Sequence, residues 1–129
     1  MTEDDAVDYE ALAAMGGVSW LTTGGGLHLL SGQVALDESN TLIGAGDAAA
    51  QSEQIFANID RVLREAGGSI ADVRHLRAFI TDRSVYPHYA AAKKRWFPGV
   101  VPAGTVVVVT GLLDESFLLE VEATAIARD

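Results

Sequence analysis

Two carboxylates share one apolar segment near the end of the chain. Glu120 and Glu122 lie in Leu118–Ile126, whose alternating pattern predicts a β-strand. Side chains alternate along a strand, so both acids point to the same face. We expect the neighbouring strand to be the buried segment Pro102–Thr110, which begins with a Pro-Ala-Gly corner and contains no basic residue. Either both acids face water, or at least one of them is an unpaired acid in a pocket.

The composition argues against several other kinds of chemistry. The chain has no cysteine, which excludes disulfides, thiolate nucleophiles and zinc–thiolate sites. The three histidines, His28, His75 and His88, show no close metal-ligand spacing and indicate structural or surface residues. We therefore expect no metal site.

Charge and hydropathy limit the partners and the location. The net charge is −9 and the isoelectric point is near 4.6, which disfavours binding to nucleic acid. The acidic N-terminus is unlike a signal peptide, and no apolar stretch approaches the ~20 residues that span a membrane. We expect a cytoplasmic protein that does not bind membranes.

The elements that must position the two acids follow from periodicity and turn residues. The 129 residues suit a single domain, 1–129, in which residues 1–16 form a flexible or lightly docked lead-in. Helical spacing of Ile55, Ile59, Val62, Leu63 and Ala66 predicts one apolar helix stripe. The chain is predicted to begin with a hairpin, in which a turn at 24–26 joins strand Val18–Thr22 to strand Leu27–Ser31. A helix capped by Asp47 and running to Ala66 follows, and then strand Val73–Ile80. A second helix, capped by Asp82 or Ser84 and stopped at Pro98, precedes the last two strands.

Two helices can cover one face of such a sheet, which leaves the other face bare. That face includes much of residues 106–109, and the chain is 49% hydrophobic with a mean hydropathy of +0.20. Burial of this surface against copies of the same chain predicts an obligate homo-oligomer.

Several short motifs, in this order along nearly the whole chain, resemble the RidA/YjgF family. They are Ser31-Gly32-Gln33, Gln51-Ser52-Glu53-Gln54 with Asn58, Ala66-Gly67 with Asp72-Val73, Pro102-Ala103-x-Thr105, and Glu120-Val121-Glu122-Ala123. The resemblance implies an α+β, chorismate-mutase-like fold: a mixed sheet with two helices on one face. It also implies a homotrimer with small-molecule clefts between subunits, and hydrolysis of enamines and imines without a metal or bound cofactor.

The sequence departs from the family pattern at three positions of the implied cleft. Gly104 stands where deaminating members have an arginine that grips the substrate carboxylate. Trp20 lies in the stretch where the family has a tyrosine, and Ala90 aligns with an asparagine. Trp20 either lines the cleft or packs on the hairpin. The glycine at position 104 indicates either that the protein has lost the family's function or that the cleft has room for a different ligand.

The remaining family residues define the candidate site. The resemblance implies that Glu120 positions the attacking water and that the Ser31-Gly32 corner holds the ligand. Together with Gly104 and Trp20, these are the predicted site residues, whereas Glu122 is interpreted as structural and paired with a neighbouring subunit.

The predicted function is action on, or binding of, a small enamine or imine other than a free 2-imino acid. As an enzyme, the chain would be a hydrolase of C=N bonds. The alternative is a non-catalytic module that binds a metabolite or a partner enzyme. Ribonuclease activity is disfavoured by the charge of −9.

Overall fold

The computed structural model of the chain describes residues 20–128. The expected lead-in of residues 1–16 and the first residues of the expected first strand, Val18 and Ser19, lie outside this range. The elements within it are β1 (Leu21–Gly24), β2 (Leu27–Gln33), α1 (Ala48–Glu65), β3 (Val73–Ile80), α2 (Tyr86–Trp96), β4 (Ala103–Val108) and β5 (Leu119–Ile126). The predicted order of strands and helices is confirmed.

The strands form a mixed sheet in the order β1-β2-β5-β3-β4. Strand β5 lies between β2 and β3 and is antiparallel to both. Strands β3 and β4 are parallel and are joined through α2, as parallel neighbours require a crossover connection. The predicted α+β fold, with a mixed sheet and two helices on one face, is confirmed.

Two expectations about β4 are wrong. The strand beside Glu120 and Glu122 is β3 and not β4, because the last strand returns between β2 and β3. Strand β4 is not buried within the chain, since it forms the edge of the sheet and most of its residues are exposed. A run of valines and threonines has the same pattern on an interior strand and on an exposed edge, so the sequence did not distinguish them.

Capping residues define both ends of α1. The Asp47 carboxylate accepts a hydrogen bond from the Ala50 N–H at 3.0 Å. At the other end Gly67 has φ +88°, and the Gly68 N–H donates to the Leu63 carbonyl at 2.8 Å. This Schellman arrangement leaves Ala66 exposed beyond the last helical turn, in contrast to its expected place in the apolar stripe.

The start of α2 depends on Asp82 and not on Ser84. The Asp82 carboxylate accepts from the Ser84 N–H at 2.8 Å and caps a short 3-10 turn, Arg83–Val85, that leads directly into the helix. The helix ends at Trp96, two residues before Pro98, as the sequence predicts.

The core lies between the helices and one face of the sheet. Phe56 of α1 stacks on Tyr89 of α2, with ring centroids 5.7 Å apart, and meets the edge of Phe97 at 5.8 Å. Buried residues from three strands complete this layer: Leu30, Leu76, Ala78, Ile80, Leu119, Val121, Ala123 and Ala125. Burial raises the pKa of Tyr89 to about 12, so its hydroxyl stays protonated.

The opposite face of the sheet is apolar and exposed within one chain. Leu29 of β2 is 47% exposed, and Ile126 of β5 is 48% exposed. Leu27 and Val107 lie on the same face and are also exposed. The expectation of a bare face therefore agrees with the structure, while the homotrimer stays a prediction.

We expect the protein to sediment as a trimer, because burial of this apolar face against other copies is favourable at ~25 cal/mol per Å². Sedimentation equilibrium at micromolar concentration should give three times the chain mass of 13.6 kDa. A folded monomer under these conditions would contradict the prediction.

Candidate functional site

Glu120 and Glu122 lie on the open face of the sheet, as their spacing predicts. In the register of β3 with β5, Glu120 is opposite Phe79 and Glu122 is opposite Arg77. The Arg77 guanidinium donates to the Glu122 carboxylate. Glu122 therefore has a basic partner within its own chain, while its structural role and its pairing with a neighbouring subunit stay predictions.

Glu120 lies against a bulge in β2. Leu30 is opposite Ala123 and Gln33 is opposite Val121, so two residues of β2, Ser31 and Gly32, face one residue of β5, Glu122. Bulges of this kind bend a strand and redirect its side chains. Of the predicted Ser31-Gly32 corner, it is Gly32 that lies against the side chain of Glu120 within one chain.

The close approach of Gly32 to Glu120 requires glycine. A Cβ atom at Gly32 would lie 2.8 Å from Cδ and Cγ of Glu120 and 2.9 Å from its Oε1. Such distances are shorter than van der Waals contact, so any side chain at this position displaces the carboxyl group. Gly32 therefore determines where the Glu120 carboxyl group lies.

The surroundings of Glu120 favour its protonated form. Partial burial raises its pKa above the usual value, and the nearby negative charge of Glu122 raises it further. Arg77 is bound by Glu122, and Phe79, directly across from Glu120, offers no charge. A carboxyl group with a raised pKa is suited to exchange protons near neutral pH.

Two buried amides on α1 hold the segments that carry these residues. Gln51 is fully buried, donates to the carbonyls of Gly44 and Ser116, and accepts from the Leu118 N–H at 2.9 Å. These bonds fix the start of β5, next to Glu120. Asn58 donates to the carbonyls of Val34 and Leu36, at 3.0 and 2.8 Å, and so fixes the chain that follows the bulge.

Gly104 lies on the other face of the sheet, opposite Leu76 and toward the helices. It lines a pocket of about 320 Å³ between β4 and α2. A Cβ atom at Gly104 would lie 3.2 Å from the Leu76 carbonyl and 3.3 Å from Lys93 Nζ. Ala90, which aligns with the family asparagine, lines the same pocket. The two departures from the family pattern are therefore neighbours.

Trp20 adjoins the β2 bulge through its backbone but does not line the pocket at Gly104. It is 39% exposed and lines another pocket, of about 490 Å³, between the strand β1 region and α1. Its carbonyl accepts a hydrogen bond from the Ser31 N–H at 3.1 Å, which links it to the β2 bulge through the backbone. Within one chain, Glu120 thus contacts Gly32 of the bulge, Trp20 is bonded to the neighbouring Ser31 through the backbone, and Gly104 lies on the other face of the sheet.

Sequence reasoning missed two charged residues near the predicted site. The sequence does not identify Arg77 as the ion-pair partner of Glu122, because it does not show which strands are neighbours. Alternation along Val73–Ile80 does place Arg77 on the face opposite Leu76. Helical spacing places Lys93 on the same helix face as Tyr86, Tyr89 and Ala90. A lysine within this largely apolar group is the signal in the sequence that it borders a pocket.

Other classes of site lack support in the part of the chain that the structure describes. Among residues 20–128, no cluster of three or more histidine or acidic side chains is arranged to hold a metal ion. Within the same range, no helix has the length and apolar character needed to cross a membrane.

Comparison with known proteins relates the chain to one family. Residues 9–127 match the family described as Endoribonuclease L-PSP. The 3-aminoacrylate deaminase RutC of Acinetobacter baylyi is 36% identical over 96 residues, which cover 74% of this chain and 75% of that protein.

Solved structures give the same result. A YjgF family member from Mycobacterium tuberculosis superposes with a TM-score of 0.78 at 28% identity, over 92% of each chain. RidA from an Antarctic Psychrobacter gives a TM-score of 0.78 at 28% identity, over 84% of this chain and 87% of that one.

The raised pKa of Glu120 predicts how its replacement changes stability with pH. The native state favours the protonated acid, so the wild type keeps full stability below about pH 4.5, the ordinary pKa, and loses some as the pH rises through the higher native value. Glu120→Gln is neutral at every pH. We expect its free energy of unfolding to exceed that of the wild type near pH 7 and the difference to shrink toward pH 4, as measured by urea unfolding.

Glu122→Gln is the matched control. It removes the ion pair with Arg77 and should not gain stability near pH 7. A gain of the same size in both variants would show that the effect is general charge reduction.

Proposed function

We propose that this chain, which belongs to the endoribonuclease L-PSP family, acts on or binds a small metabolite with an enamine or imine group. The observation that carries the proposal is Glu120, a half-buried carboxyl group held against Gly32 with a raised pKa. The similarity to a 3-aminoacrylate deaminase supports the same class of ligand.

Hydrolysis of such a ligand needs proton transfers and no redox step. An enamine first takes a proton on carbon and becomes an imine. Water then adds to the imine carbon, and nitrogen leaves as ammonia to give a carbonyl product. In this proposal Glu120 accepts a proton from the water and returns it to the leaving nitrogen. A carboxyl group with a raised pKa can perform both transfers, because its protonated form is less disfavoured than that of an ordinary glutamate.

We further propose that the ligand lies between subunits of a homotrimer. Glu120 is on the open face of the sheet and Gly104 on the helix-covered face, so a small ligand does not touch both within one chain. Edge strand β4 is exposed and available to a second copy. A cleft that combines Glu120 of one subunit with Gly104 of another satisfies this geometry.

A non-catalytic binding module is the second candidate. The observation that favours it is the pair Gly104 and Ala90, which removes an arginine and an asparagine from the implied cleft. A turnover assay separates the two functions, because both predict binding and only the first predicts ammonia release.

We expect Glu120→Gln to lower the hydrolysis of 3-aminoacrylate by at least about 100-fold, because the amide does not exchange protons near neutral pH. Ammonia release from 3-aminoacrylate generated in situ measures this. Gly32→Ala is a second test, since its Cβ would displace the carboxyl group without changing its charge, and it should also lose activity.

Glu122→Gln is the control, since Glu122 lies on the same strand face but is paired with Arg77, and its loss of activity should be milder. Full activity of Glu120→Gln would remove this residue from the mechanism. Binding without any turnover by the wild type would favour the non-catalytic module.

We expect slow hydrolysis of 2-aminoacrylate, because Gly104 replaces the arginine that grips the carboxylate of 2-imino acids. Loss of a charge-assisted hydrogen bond costs ~1.5–3 kcal/mol, or roughly one to two orders of magnitude in rate against a family member with the arginine. An amino-acid oxidase assay coupled to imine decay measures this, and a rate equal to that of such a member would contradict the expectation.

Gly104→Arg tests the same point in the opposite direction. Gly104 is not among the glycines with positive φ in the described residues, so its backbone accepts other residues. The arginine must, however, pass the Leu76 carbonyl and displace Lys93. We expect a gain in 2-aminoacrylate hydrolysis in this variant.

A further inference from the structure

The ammonium group of Lys93 lies next to the position from which the family arginine would extend. Its Nζ is 3.3 Å from the place of a Cβ atom at Gly104. The lysine comes from α2 and the glycine from β4, on opposite walls of the same pocket. A positive charge is therefore present at this position, although the residue that supplies it belongs to a different element.

This ammonium group is available to a ligand. Within residues 20–128, no hydrogen bond or ion pair engages the side chain of Lys93. Arg95, two residues further along the same helix turn, is bound by Glu53, which also accepts from Trp96 Nε1 at 2.8 Å. The half-buried Lys93 thus differs from its neighbour in lacking an acidic partner.

The rest of the pocket is mostly apolar. Its other lining residues are Tyr86, Tyr89, Ala90, Lys94, Phe97, Val101 and Val106. Gly104 and Ala90 contribute almost no side-chain volume, so the space beside Lys93 remains open. A pocket with the half-buried Lys93 and the exposed Lys94 as its cations, and with otherwise mostly apolar walls, is complementary to a molecule with an anionic group and an apolar body.

We propose that Lys93 is the anion anchor of the ligand pocket, and that the ligand is an enamine or imine carrying a carboxylate on an apolar body that fills the space beside Gly104 and Ala90. This inference rests on the proposed function and specifies its substrate class. Lysine is a flexible point charge, whereas arginine offers a planar, two-pronged contact. The pocket therefore holds the carboxylate by one contact and depends on apolar packing for the remaining affinity.

Binding of benzoate and of its uncharged counterpart benzamide tests the anchor without turnover. Isothermal titration calorimetry on the wild-type protein should show benzoate binding at least about tenfold more tightly than benzamide, because a hydrogen bond to a charged group is the stronger one. Lys93→Met keeps the length and apolar stem of the side chain but removes the charge. It should weaken benzoate binding about tenfold or more and leave benzamide binding nearly unchanged.

Two further variants make the result specific. Lys93→Arg keeps the charge and should retain benzoate binding within a few-fold of the wild type. Arg83→Met also removes one positive charge, at an exposed position that does not line the pocket, and should leave benzoate binding nearly unchanged. Circular dichroism of each variant verifies the fold before titration.

The proposal is overturned if benzoate does not bind the wild type, if Lys93→Met binds it equally well, or if Lys93→Met and Lys93→Arg lose it equally. Failure of the anchor is distinguishable from failure of the proposed function. Glu120→Gln should lose turnover while it still binds benzoate, so the Glu120 result tests the catalytic role and the Lys93 result tests the anchor.

Discussion

The buried amide of Gln51 is the interaction on which the arrangement of the site depends. It bonds to three backbone groups, at Gly44, Ser116 and Leu118, which come from segments far apart along the chain. The side chain is fully buried, and without it the Ser116 carbonyl and the Leu118 N–H would lose this partner, whereas the Gly44 carbonyl would keep the Asp47 N–H. Through this one residue, α1 holds the start of β5 and with it Glu120. Asn58, two turns further along, does the same for the chain after the β2 bulge.

Much of the fold was predictable because it depends on local signals. Each of these signals spans only a few residues of the chain. They are the cap at Asp47, the glycine at the end of α1, and the alternation of buried and exposed side chains along β3 and β5. The strand order was not predictable in the same way. Whether β5 pairs with β3 or with β4 depends on where the chain returns, and both neighbours have suitable apolar strands. That uncertainty concealed the partner of Glu122, which is Arg77.

The candidate site was predictable in part for a similar reason. The association of Glu120 with the Ser31-Gly32 corner came from the resemblance to a family, and the structure shows it as the contact of Gly32 with the Glu120 side chain. The residues that surround Gly104 could not be predicted from the sequence, because they depend on how α2 packs over β4. The sequence showed a missing arginine, and the fold shows a lysine whose ammonium group reaches the same place from the opposite wall.

The contact of Gly32 with Glu120 also constrains how this chain can vary. A Cβ atom at position 32 and a full-length glutamate at position 120 cannot occupy their places together, since 2.8 Å separates them. Residues in such contact have non-additive effects on stability when both are changed. A larger residue at 32 becomes acceptable once the side chain at 120 is shorter, whereas the reverse order passes through a state in which the Glu120 carboxyl group is displaced. In relatives that have abandoned the acid, the glycine is therefore released from its steric requirement, so the two positions should be inherited as a pair.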